Sequence, residues 1–194
     1  ARLGLKVLPP DVNISNGGFT ADNGKIRFGL NAVKNVGRNL IERVVGERKE
    51  KPYSSLYDFC KRMHGTELNR RAVECLIKAG AFDSMGVNRH SLVEAVDGII
   101  KSVESDSRRN LEGQLDLFSV MSGESQTSDT DSYEIKPFPE YSHTELLQQE
   151  KEVSGLYLSG HPLDAYREQS ARFASNSIKE LTGEDAHKLD GNHV

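Results

Sequence analysis

The stretch from Gly29 to Val45 (Gly-Leu-Asn-Ala-Val-Lys-Asn-Val-Gly-Arg-Asn-Leu-Ile-Glu-Arg-Val-Val) constrains the fold most. Its apolar residues Leu30, Val33, Ile41, Val44 and Val45 recur at helical spacing on both sides of a break at Lys34, Asn35, Val36 and Gly37. This predicts two short apolar helices joined by a tight turn. Gly37 can take a positive φ at no steric cost, and Asn is among the few other residues that tolerate one, as at Asn35. From Arg38 a fresh helix begins, and its first backbone N–H groups have no intrahelical partner. Such a corner aims unpaired amides, flanked by Lys34 and Arg38, at an arriving anion, for which a phosphate is the natural candidate. The same pattern suits an ordinary two-helix corner inside a helical core, and this stretch alone leaves both readings open.

The pattern resembles the helix-hairpin-helix motif, which binds the nucleic-acid backbone without reading base sequence. The usual glycine-apolar-glycine turn appears here as Asn35-Val36-Gly37, with one glycine replaced, and Ile41 stands where a small residue is often found. A phosphate-binding reading must also meet the charge balance. The 194-residue chain has 25 Lys and Arg against 29 Asp and Glu, a net −4. The sign separates along the chain. Residues 1–101 carry 17 basic against 11 acidic residues, a balance of +6, and residues 102–194 carry 8 against 18, a balance of −10. Contact with a polyanion therefore belongs to the first half.

Upstream, residues 1–28 read as a small β element. Leu5 to Leu8 is extended, Pro9-Pro10-Asp11 stops it, and Phe19 to Phe28 alternates around Asn23-Gly24, a dipeptide favoured in tight hairpins. Downstream of the opening stretch, Ser54 or Ser55 can cap a helix over Leu56 to Arg62, and Asn69 a helix over Arg70 to Ala79 that ends at Gly80. Ala81 to Gly86 makes a turn and Asn88 starts a helix through Ile100. Residues 69–100 thus form a second helix-turn-helix pair, a looser copy of the first. Lys78, Gly80 and Arg89 near its turn are further candidates for phosphate contact, alongside Lys34, Asn35, Val36, Gly37 and Arg38, with Arg70 and Arg71 in the same neighbourhood.

From Ser102 the composition turns polar, and Ser122 to Ser132 is almost wholly Ser, Thr, Asp, Glu and Gly. Such a segment cannot bury enough apolar surface to offset its ordering entropy, so a flexible acidic linker is expected over 102–136. Inside it sits one apolar cluster, Gln114-Leu115-Asp116-Leu117-Phe118, which reads as a docking peptide or as a strand tucked onto the helices. Residues 137–194 begin extended. Ser142 or Thr144 then caps a helix with Leu146, Leu147, Glu150, Val153 and Leu156 at helical spacing, closed by the turn at Gly160-His161-Pro162. The last residues look like a strand just starting, and with Ala1 in first place the chain reads as an excised fragment.

Other chemistries find no support in the sequence. Cys60, His64 and Cys75 fit no structural zinc spacing, and two cysteines make no disulfide framework. His161 beside Ser159 lacks an acid and an oxyanion loop, and there is no phosphate-binding P-loop or dinucleotide fingerprint. No apolar run approaches the length of a membrane span.

Four stretches in order resemble the bacterial DNA polymerase III α subunits, the C-family replicative polymerases. They are Leu3 to Asn13, Ile26 to Leu30, Leu76 to Asp83 and Gly155 to Asp164. The resemblance implies a mainly α fold: the end of the fingers over 1–28, a tandem helix-hairpin-helix DNA-binding domain over 29–101, and a helical segment leading towards an OB-fold. It implies double-stranded DNA, a sliding clamp and other replicase subunits as partners, in the cytoplasm and without a membrane. Gln114, Leu115, Asp116, Leu117 and Phe118 are similar to the family's clamp-binding peptide. The catalytic aspartates and their Mg2+ belong to a palm domain upstream, so no cofactor and no catalytic residue is expected here. The competing expectation is a purely structural or protein-interaction module that touches no DNA. Buried turn amides, or amides faced by carboxylates, would favour it.

Overall fold

Three short strands precede the helices. β1 (Val7–Leu8), β2 (Thr20–Asp22) and β3 (Lys25–Arg27) form a sheet in the order β1-β3-β2. The hairpin at Asn23-Gly24 sets β2 and β3 antiparallel, with Ala21 opposite Ile26. Both turn residues take positive φ, 49° and 76°, as a two-residue hairpin turn requires. β1 pairs in parallel with β3, Val7 opposite Ile26. The computed structural model describes residues 6–113, 133–166 and 172.

After β3 the chain passes through Gly29. Leu30 and Asn31 donate their N–H groups to the carbonyls of Asn16 and Gly17, which brings the two backbones together. Leu30–Ala32 is a single 3-10 turn, in place of the first of the two helices expected here. Val33 is already extended (φ −78°, ψ 127°), and the Lys34 N–H turns away to the Val153 carbonyl at 2.8 Å, so a helical ladder cannot continue.

The helices follow. α1 (Arg38–Glu47) buries Leu40, Ile41 and Val44. α2 (Leu56–Arg62) is capped by Ser55, and α3 (Arg70–Lys78) by Asn69. Gly80, at φ 84°, lets the chain leave α3 in the left-handed conformation expected of it. α4 (Arg89–Gly113) returns against α2 and α3, and α5 (His143–Ser154) starts from a capping box between Ser142 and Glu145. Phe28, Leu30, Leu40, Ile41, Phe59 and Leu76 are fully buried in the core they share, where Tyr53, Phe59 and Phe82 meet edge to face at 5.1 Å. Arg48 ties the N-terminal loop to the end of α1 by donating to the carbonyls of Val12, Ile14 and Ser15.

Both ends of the stretch expected as a linker belong to the packed fold. α4 does not stop at Ile100: Val103 is buried and the Tyr57 hydroxyl donates to Asp106 at 2.5 Å, so a polar sequence stays helical because one face of it packs. At the other end Tyr133 and Ile135 pack on the core, the Tyr133 hydroxyl filling the space above Gly98 in α4. The peptide Gln114 to Phe118, and the approach to an OB-fold, lie outside the described residues. From Gly160 the chain forms a separate unit, whose described part is a 3-10 turn over Pro162–Tyr166. Among the described residues no helix is long and apolar enough to cross a membrane.

Candidate nucleic-acid interface

The first turn is open. Lys34, Asn35, Gly37, Arg38 and Asn39 are exposed and Val36 is half-buried. Of the two residues able to take a positive φ, Asn35 does so (φ 61°), and Gly37 is extended (φ −71°, ψ 146°) as the N-cap of α1. The Asn35 side-chain amide donates to Cys75 Sγ at 3.3 Å, pinning the turn onto α3. Among the described residues the N–H groups of Arg38, Asn39 and Leu40 have no acceptor, and the first turn of α1 holds no acidic residue. One carboxylate stands near. Glu67 Oε1 accepts from the Asn39 side chain at 3.2 Å, and Oε2 lies 3.1 Å from where a Gly37 Cβ would be. It engages a side chain and leaves the backbone amides unpaired.

The structure brings Lys78 to the same side. The Lys34 N–H meets the Val153 carbonyl, and Lys78 Nζ lies 3.9 Å from Glu152 on the same turn of α5. A half-exposed pair at that separation is weak, so the Lys78 charge stays available.

The second turn is closed. Arg89 is buried, with its guanidinium bonded to Asp83 at 2.7 Å, to Glu150 at 3.1 Å and to the Lys78 carbonyl at 3.2 Å. Burial works to lower the Arg89 pKa, but the two carboxylates outweigh it and hold the group above its ordinary value. Glu150 itself is fully buried and also accepts from the N–H groups of Leu158 and Ser159. Gly80 packs beneath this cluster, and the Gly80 and Ala81 N–H groups are bonded to the Ile77 and Leu76 carbonyls. At the start of α4, Glu140 accepts from the N–H groups of Arg89, His90 and Tyr141, and Asn88 caps Ser91. Burial pushes the Glu140 carboxyl up, yet those three N–H groups bring it below the usual carboxylate range. Arg89 and Gly80, expected beside a phosphate, are therefore packing residues, and the place of an anion at α4 is taken by the protein's own carboxylate.

The sequence reading missed Asp83, Glu140 and Glu150. Glu150 had a visible signal: it is a carboxylate on the apolar stripe of its helix, and such a residue stays buried only with a cation and several donors around it. Cys60 and Cys75 are both buried and free, and burial pushes the Cys60 thiol up to about 12. Among the described residues no three His, Cys, Asp or Glu are gathered as metal ligands.

Comparison with known proteins agrees with this architecture. A family model described as helix-hairpin-helix motif matches residues 4–92. The DNA polymerase III subunit alpha of Borreliella burgdorferi is 39% identical over 177 residues, covering 91% of this chain and 15% of the relative. The same subunit of Saccharopolyspora erythraea is 40% identical over 186 residues, 94% of this chain and 16% of the relative. That of Escherichia coli K12 is 36% identical over 174 residues, 89% and 15%. The chain thus spans about 15% of the length of the curated relatives it matches. With a helix-hairpin-helix model over its first half and this identity along nine-tenths of its length, the chain belongs to the DNA polymerase III subunit alpha family.

Proposed function

We propose that this segment grips duplex DNA through backbone phosphates inside a replicative DNA polymerase, and that residues 114–118 dock a sliding clamp. The observation that carries the DNA half is the start of α1: the N–H groups of Arg38, Asn39 and Leu40 are unpaired, and Arg38 and Asn39 are exposed beside Lys34. Contacts of this kind position a duplex without reading its sequence. The grip supports processive synthesis. The nucleotidyl transfer itself, with its Mg2+, belongs to parts of the polymerase outside this segment, which works in the cytoplasm with the other replicase subunits.

A second reading is favoured by the closed second turn, where Arg89, Asp83, Glu150 and Glu140 leave nothing for a phosphate. In that reading the turn between α3 and α4 is scaffold, and DNA is met only on the side of the first turn. The two readings divide the molecule between them. Duplex affinity of the wild type should fall steeply with salt, by roughly 0.9 log units per log unit of salt for each phosphate neutralised. Lys34→Glu with Arg38→Glu should lower affinity about tenfold or more at low salt, flatten that slope and leave the melting temperature unchanged. A wild type whose affinity ignores salt would overturn the proposal, and so would a double variant that binds like it.

A further inference from the structure

We infer that Arg71 is a further phosphate contact, so that one edge of α3 completes the surface begun by the first turn; the inference rests on the DNA-binding reading above. Arg71, Cys75 and Lys78 stand at i, i+4 and i+7 of α3 and share one face. Two contacts fix where that face looks. Cys75, one turn after Arg71, receives the Asn35 amide, and Glu67, four residues before Arg71, receives the Asn39 amide. The segment from Asn35 to Asn39 therefore runs along this edge of α3, with Arg71 between the two points of attachment. Between the two attachments the segment passes through Val36, Gly37 and Arg38, the residues at the open start of α1.

Arg71 and Arg70 differ in what they can do. Arg70 is exposed but engaged, with Nε 2.7 Å from Glu74 and Nη1 3.0 Å from Asp97. Arg71 is exposed and forms no hydrogen bond or ion pair among the described residues. Its guanidinium presents a planar fork that suits two oxygens of one phosphate. Lys78 follows on the order of 10 Å further along the helix, far enough to meet a different phosphate of the same strand. Lys34, Arg38, Arg71 and Lys78 then stand together, with Glu67 bonded to Asn39 and Glu152 weakly paired to Lys78.

The test measures fluorescence anisotropy of a labelled mixed-sequence duplex against the whole chain over a range of salt. Arg71→Gln should weaken binding by about threefold to tenfold at low salt and reduce the salt slope by about 1. Arg70→Gln, equally exposed in sequence but already paired, should stay within about twofold of the wild type. Arg71→Lys should recover most of the lost slope, since it restores the charge. If Arg71→Gln keeps the wild-type slope while Lys34→Glu with Arg38→Glu loses affinity, the inference about Arg71 is wrong and the first-turn grip stands. If the wild type shows no salt-dependent binding, the DNA-binding reading fails and takes this inference with it.

Discussion

At Gly29 a Cβ would meet the Gly18 carbonyl carbon at 2.5 Å and the Gly17 oxygen at 2.7 Å. Both obstacles are main chain, fixed by the hydrogen bonds of Leu30 and Asn31, and cannot swing aside like a side chain. Gly29→Ala should therefore destabilise by about 3 kcal/mol, at the upper end of overpacking costs, with a melting temperature lower by roughly 6–12 °C. Thermal unfolding followed by circular dichroism measures this, and a shift under about 2 °C would show that the loop can move. The next turn marks how far single residues were legible in the sequence. Its place at Lys34 to Gly37 and its exposed basic residues were readable, because a break in apolar periodicity is a local signal. Which residue would be left-handed was not. Glycine's freedom permits a positive φ without demanding one, and Asn35 takes it because its amide reaches Cys75, forty positions away.

The ends of elements were read well wherever the deciding interaction is local. Ser55, Asn69 and Ser142 cap from within three residues of the N–H they serve, and Gly80 ends α3 by its own backbone conformation. The readings that failed depend on partners distant in sequence. α4 outruns its expected end because Tyr57 meets Asp106, and the second turn is closed by Glu140 and Glu150, contributed from 51 and 61 positions beyond Arg89. The two turns, expected as copies of one motif, thus differ: the first is open to solvent and the second joins α3, α4 and α5. Arg89→Met should cost about 3–5 kcal/mol, because it strands the fully buried Glu150 carboxylate without its cation. Arg89→Met with Glu150→Gln should recover part of that loss. Urea denaturation gives both values. The Arg89→Met protein, at temperatures where it remains folded, should bind duplex as the wild type does, and a clear loss of affinity would return Arg89 to the interface.

Over the whole molecule, the separation of charge suits the proposed division between DNA and clamp. In the proposed function the first half, at +6, meets the phosphates, and residues 114–118 lie in the −10 half, whose net charge phosphates repel. Both proposed sites lie on one chain, with residue 114 following directly on the last residue of α4. Binding one partner therefore raises the effective concentration of the other site towards its own, and a clamp encircling the same duplex satisfies both at once. Affinity for clamp-loaded duplex should exceed that for bare duplex by about 100-fold or more. Leu117→Ala with Phe118→Ala removes the apolar anchors of the peptide and should abolish this enhancement without changing bare-duplex affinity. Lys34→Glu with Arg38→Glu should weaken both, since it acts on the shared DNA contact, yet should leave affinity for free clamp intact. Surface-immobilised duplex, with and without loaded clamp, distinguishes the three proteins in one assay. Should the Leu117 and Phe118 variant keep the clamp-dependent gain, the second grip lies elsewhere on the chain and the tethering argument falls with it.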